Sequence, residues 1–244
     1  MAKYKVLSTK KLEPSLVIKA GENDIEIIEQ EFISVRHNTS KEKFEEVFRL
    51  MQVGEDYEFV AFTSANAVVP FEKFIGGGIP HSTKWKIFCL SGKTKTALES
   101  TSGRLTGDIV GTADNAEALA HRIIEAGIKK IIFFCGNRRR DELPHLLGVA
   151  GVEVHEIVVY ETVETPVAAI EDPAAVLFFS PSAVQSFFSV NQLKTNTICF
   201  AIGQTTADSI AGFTDNKIIT SESPDQESML ASVHLYFQNI NCYE

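Results

Sequence analysis

Short apolar runs rich in β-branched and aromatic residues recur along the chain, separated by stretches with helical periodicity. The runs predict strands over residues 5–8, 24–28, 59–63, 86–90, 130–134, 153–160, 175–179, 198–202 and 217–219. The clearest helix spans residues 115–126, where Ala116, Leu119, Ala120, Ile123 and Ile124 share one face. A second spans 227–237 and is introduced by the capping signal Ser223-Pro224-Asp225. Strands that alternate with helices almost throughout predict an α/β protein with mainly parallel sheets.

The pattern also repeats. The segment from Phe62 to Val68 parallels Phe178 to Val184 at an offset of 116 residues; Leu90 to Thr94 parallels Ala201 to Thr205, and Asp114 to Leu119 parallels Asp225 to Leu230, both at 111. A period this long is a domain duplication and not a solenoid. The second repeat lacks opening strands and the N-terminal strands are too few to stand alone. The economical arrangement is therefore bilobed, with two similar parallel-sheet domains and a ligand cleft between them. One domain is discontinuous, residues 1–34 plus 164–244, and the other is inserted as residues 38–158. Linker strands near 32–37 and 159–163 join them.

With 244 residues, 44% of them hydrophobic, the chain can bury a large core. Its longest apolar runs fall far short of the roughly 20 residues of a membrane helix, and no signal-peptide core follows Met1, which predicts a cytoplasmic protein. A formal charge of −9 argues against a nucleic-acid surface and offers anionic lipid no attraction. Any anionic ligand has to be held by local donors. Cys89, Cys135, Cys199 and Cys242 are widely spaced without a C-x-x-C pair, which predicts buried reduced thiols. No metal site is read from His37, His81, His121, His145, His155 and His234, which lack ligand spacing. Gly76-Gly77-Gly78 lacks the lysine of a phosphate loop and reads as a flexible turn, and no G-x-G-x-x-G follows the first strand. No cofactor is expected.

Candidate chemistry gathers where strands end. Five motifs share one form, in which a strand ends, a small or hydroxyl-bearing residue follows, and a helix begins. They are Thr63-Ser64-Ala65-Asn66, Ser91-Gly92-Lys93-Thr94, Cys135-Gly136-Asn137-Arg138, Ser180-Pro181-Ser182 and Gly203-Gln204-Thr205-Thr206. At such a junction the first helical N–H groups lack partners and suit carboxylates or phosphates. Taken alone, any one of them reads as an ordinary helix cap. Five at the carboxyl ends of strands, where open α/β sheets place their ligands, predict a site lined with anion-holding groups. Arg138-Arg139-Arg140, followed by Asp141 and Glu142, reads as a solvated helix start with one arginine turned toward the ligand.

The stretch from Phe134 to Pro144, followed by Val159-Tyr160-Glu161-Thr162, resembles uroporphyrinogen-III synthases. So do Phe62-Thr63-Ser64, Phe179-Ser180-Pro181-Ser182, the run Ala201 to Ala207, and Ser223-Pro224, in the family's order from about residue 60 to 230. The chain departs from the family's usual pattern at Asn66, often arginine, and in the basic Lys93 and Lys95. The resemblance implies the bilobed fold and a cofactor-free monomeric lyase of tetrapyrrole and haem biosynthesis. Its substrate would be hydroxymethylbilane, handed over transiently from hydroxymethylbilane synthase, with acetate and propionate arms held by backbone amides and hydroxyls. The implied reaction loses water to give an azafulvene, forms a spiro intermediate and closes the macrocycle with ring D inverted. Unassisted closure gives the symmetric type I isomer, so the enzyme imposes geometry. Tyr160 is the expected catalytic residue, because a phenol is protonated at neutral pH and can donate to the departing hydroxyl. The alternative is a non-catalytic two-domain protein that binds a small molecule or tetrapyrrole.

Overall fold

A computed structural model of the chain describes residues 3–52, 59–76, 85–101, 107–169 and 172–241. In chain order the first elements are β1 (Tyr4–Ser8), α1 (Pro14–Gly21), β2 (Ile25–Glu29), β3 (Ile33–His37), α2 (Lys41–Gln52) and β4 (Phe59–Phe62). A 3-10 turn over Ala65–Ala67 leads into α3 (Val68–Gly76), followed by β5 (Trp85–Leu90), α4 (Lys93–Ser100), β6 (Gly107–Ala113) and α5 (Ala116–Glu125). Then come β7 (Lys130–Gly136), α6 (Glu142–Val149), β8 (Glu153–Glu164), β9 (Ala175–Phe178) and α7 (Pro181–Phe188). The chain ends with β10 (Ile198–Ala201), α8 (Gln204–Ala211), β11 (Ile218–Thr220) and α9 (Gln226–Asn241).

These elements form two compact units. Unit 1 comprises Met1–Ser34 and Val163–Glu244, and unit 2 comprises Val35–Thr162. Unit 1 holds a five-stranded sheet in the order β11-β10-β9-β1-β2, and the second sheet has six strands in the order β3-β8-β7-β4-β5-β6. The pairings β1·β2, β1·β9, β9·β10, β10·β11, β4·β5, β4·β7, β5·β6 and β7·β8 are all parallel. Parallel strands covered by helices on both faces must be apolar on both, which explains the unbroken buried runs Ile131 to Cys135, Ala175 to Phe178 and Ile198 to Ala201. On one face of the second sheet Phe62, Phe71, Phe134 and Trp85 interlock, with ring centroids 4.9 Å apart for Phe62–Phe71 and 5.5 Å for Phe71–Trp85. The other face packs Leu119, Ala120 and Ile123 of α5 against Ile131, Phe133 and Cys135. The predicted helical stripe therefore faces the core, and Asn115 caps α5 by accepting from the Ala118 N–H at 2.8 Å.

Several expectations need correction. β6 was not anticipated, because Gly107 and Gly111 interrupt its apolar run; a side chain at Gly111 would collide with the Phe88 ring, so the glycine admits that ring. β8 runs without a break to Glu164, so Tyr160 stands inside a strand and does not end one. The chain crosses between units within β3 and again at the carboxyl end of β8. The helix anticipated directly after Cys135-Gly136 begins only at Glu142, beyond a five-residue loop over 137–141. Gly77, Gly78, His81 and Cys242 lie outside the described residues.

Cys89, Cys135 and Cys199 are free and buried. Burial pushes the first two thiols up to about 11 and Cys199 up to about 12. The folded chain thus keeps neutral three thiols that the unfolded chain ionises near their ordinary value of about 9. Their contribution to stability is complete below that pH and declines as the pH rises toward 11. A denaturation midpoint followed from pH 7 to 10.5 is expected to fall above about pH 9, with a shallower fall in Cys199→Ala. Equal slopes in the two proteins would show that Cys199 plays no part in it.

Candidate functional site

Strand order determines where each unit can hold a ligand. In the second sheet the chain moves outward from β4 through β5 to β6, then returns to the opposite side of β4 with β7 and continues to β8. The direction reverses between β4 and β7, and adjoining loops diverge at their carboxyl ends to leave a crevice. Unit 1 has the same device between β1 and β9. The two sheets correspond under a permutation, in which β4, β5 and β6 match β9, β10 and β11, while β7 and β8 match β1 and β2.

At the reversal in unit 2, Thr63, Ser64, Ala65 and Asn66 follow β4, while Gly136 ends β7 and Asn137 and Arg138 follow it. Ser91, Gly92 and Lys93 follow β5 next door, and the 3-10 turn at Ala65–Ala67 packs against both α4 and β7. The structure therefore brings these three motifs together on one sheet edge. Their groups are not equally available. Ser64 accepts from the Asn66 N–H at 3.2 Å and is a cap. The Ser91 hydroxyl donates to Ala113 O at 2.9 Å and also meets the Asp114 carboxylate. Gly92 caps α4 at φ 71 and ψ −133, a conformation that favours glycine. Asn66 and Lys93 are exposed. Among the arginines, Arg138 and Arg140 are exposed while Arg139 pairs with Asp141 of its loop and with Glu156 of β8, so the motif is a solvated loop braced at Arg139 and not a helix start.

Tyr160 occupies the same edge. β7 and β8 pair regularly through Cys135 and Val158, then Gly136 pairs with Tyr160, so Val159 is an extra residue in β8. This bulge breaks the alternation and brings Tyr160 to the face already occupied by Ile157 and Val159, packed on the aromatic cluster of Phe62 and Phe134. The ring lies across Gly136: a Cβ there would stand 2.5 Å from Tyr160 Cε2 and 2.8 Å from its phenol oxygen. Tyr160 is half-buried, and among the described residues its hydroxyl has no hydrogen-bond partner.

At the reversal in unit 1, Ser180-Pro181-Ser182 follows β9, and Gly203-Gln204-Thr205-Thr206 follows the adjacent β10. Ser180 caps α7 by accepting from the Ala183 N–H at 3.2 Å, with Pro181 at its first position. Gln204 donates to Asp208 Oδ1 at 2.7 Å. Thr206 is buried and its N–H donates to Gly203 O at 3.0 Å. Thr205 is exposed at the second position of α8, where Gly203 and not Thr205 is the cap, and its hydroxyl is unpartnered among the described residues. Sequence reasoning missed the loop after β1, on the other side of this reversal. There Thr9 ties β1 to β9 by donating to Leu177 O at 2.7 Å, and Lys10 stands 6.0 Å over the Phe179 ring. The signal was the permuted repeat, which makes this loop the counterpart of the one after Gly136.

Among the described residues there is no group of three His, Cys, Asp or Glu side chains placed to hold a metal ion, and no helix long and apolar enough to cross a membrane. The fold is shared with uroporphyrinogen-III synthetase from Helicobacter pylori, at 14% identity and a TM-score of 0.66, covering 96% of this chain and 99% of that one. A mutant uroporphyrinogen III synthase from the extremely thermophilic bacterium Thermus thermophilus matches equally, at 14% identity and a TM-score of 0.66, over 97% of this chain and 99% of that one. A family model described as uroporphyrinogen-III synthase HemD matches residues 15–231, a span that takes in the reversal in unit 2, β9 and β10 of unit 1 and all five strand-end motifs but not β1, Thr9 or Lys10, and the chain belongs to that family.

Proposed function

We propose that the protein is a catalytically active uroporphyrinogen-III synthase, a monomeric cytoplasmic hydro-lyase that cyclises hydroxymethylbilane with inversion of ring D. The observation that carries this reading is the family match across residues 15–231, which includes Tyr160 and the motifs of both sheet edges. Exposed amides and hydroxyls at the carboxyl edges hold the acetate and propionate arms, which a chain of net charge −9 cannot attract by its overall field. Tyr160 donates a proton to the departing hydroxyl, and the azafulvene closes through the spiro intermediate. The protein's main task is to curve the chain of four pyrroles so that the substituted carbon attacks first.

Freshly generated hydroxymethylbilane, incubated with the protein, oxidised and resolved by isomer, is expected to give type III well above an enzyme-free control. Type I alone would overturn the reading in favour of a non-catalytic binding protein. Thr205, at the start of α8, binds one of the substrate's carboxylates through its hydroxyl, and that role has its own test. Thr205→Val removes an exposed hydroxyl that caps nothing, so product affinity is expected to fall about fivefold, the worth of one hydrogen bond, with an unchanged melting temperature. A lower melting temperature with unchanged affinity would assign the hydroxyl to the fold.

A further inference from the structure

We infer that Asn137 is a positioning residue for Tyr160, pinning the β8 backbone from the Tyr160 carbonyl to Thr162 so that the phenol stays over Gly136. The inference rests on the proton-donor role proposed for Tyr160. Its ground is the bulge. In a regular parallel pair every residue has a register partner, but Val159 has none on β7, while on the β3 side its carbonyl accepts from the Asn38 N–H at 2.8 Å. On its β7 side the strand thus loses its regular pairing next to the side chain whose position matters most.

Asn137, the first residue beyond β7, supplies what the ladder lacks. Its N–H donates to Tyr160 O at 3.2 Å, its side-chain Oδ1 accepts from the Thr162 N–H at 2.9 Å, and Nδ2 faces Thr162 O at 3.5 Å. The 2.9 Å bond is of normal strength and the 3.5 Å contact lies at the outer limit. One residue therefore holds the carbonyl of Tyr160 and the peptide two residues on, directly beside the ring that lies over the bare Gly136. The loop keeps its remaining supports when the Asn137 side chain is removed, since Arg139 still holds Glu156 and Asp141.

Asn137→Ala is expected to lower kcat about tenfold, part of the ~10²-fold that a positioned proton donor supplies, with KM changed less than about twofold. Asn137→Asp, which keeps the acceptor for the Thr162 N–H, is expected to recover most of that loss. In a Tyr160→Phe background, removing the Asn137 side chain should cost less than about a further twofold, because the donor it positions is already gone. A second full tenfold loss there would overturn the inference. An activity-independent readout is the fluorine resonance of 3-fluorotyrosine at position 160, assigned by its disappearance in Tyr160→Phe. It is expected to shift and broaden in Asn137→Ala, and an unmoved resonance would overturn the positioning role. A wild-type protein that makes no type III isomer would instead remove the function on which the inference rests, and the control reaction identifies that case.

Discussion

Tyr160→Phe is expected to lower turnover at least tenfold while leaving the fold, product binding and the identity of the product unchanged. The variant keeps the ring that packs against the cluster of Phe62 and Phe134 and removes only a hydroxyl that no described residue engages. Losing an unpartnered, half-exposed hydroxyl should leave the melting temperature close to wild type. A positioned acid contributes about 10²-fold or more to a proton-transfer step, so at least one order of magnitude should disappear with the donor. The residual product should still be type III, because the isomer is set by how the substrate is curved and not by how fast the hydroxyl leaves. Single-turnover formation of the macrocycle, with isomer analysis, is the measurement. Wild-type turnover in a well-folded Tyr160→Phe protein would rule out the donor role, and a switch to type I would mean that the phenol shapes the substrate.

Most of the fold was legible because parallel strands buried on both faces must be apolar runs, and these stand out at Ile131 to Cys135 and Ala175 to Phe178. What was not legible followed from contacts that a single strand cannot reveal. β6 carries two glycines, one admitting the Phe88 ring and the other at a place where a side chain's Cβ would stand 2.8 Å from Trp85, so its composition reflects neighbours on β5. The repeat did contain it: β11 begins at Ile218, and the offset of 111 places an equivalent strand start at Gly107, where β6 begins. The same symmetry, permuted, would have drawn attention to Thr9 and Lys10. Among the candidate residues, sequence located the edge but not the availability of each group. Ser64 and Ser180 turn out to cap helices and Ser91 to meet Asp114, because a hydroxyl at a strand–helix junction serves the helix before it serves a ligand. The placement of Tyr160 was legible only as a position in a motif. Its direction depends on the bulge at Val159, which reverses the alternation that any period-two reading assumes.

Gly136→Ala tests that geometry from the opposite side of the contact. Gly136 does not have the positive φ seen at Gly92, Gly127 and Gly151, so its backbone would accept alanine, and the Tyr160 ring is what an added side chain meets first. An added methyl would stand 2.5 Å from Cε2 and 2.8 Å from the phenol oxygen, well inside contact distance, so the ring has to tilt or the strand has to shift. Overpacking a well-filled site typically costs about 1–3 kcal/mol, which predicts a clear fall in melting temperature. The functional loss should be larger than the structural one, because displacing a reacting group by about an ångström can cost roughly 10²-fold. Gly136→Ala is therefore expected to lower turnover at least as far as Tyr160→Phe. The decisive comparison uses a Tyr160→Ala background, where no ring is left to collide with. There the methyl should fit and the melting temperature should change by no more than about 0.5 kcal/mol in equivalent stability, as for an ordinary tolerated substitution. An equal stability loss in both backgrounds would mean that Gly136 is required for some reason other than the Tyr160 ring, and the account of how the phenol is seated would fail with it.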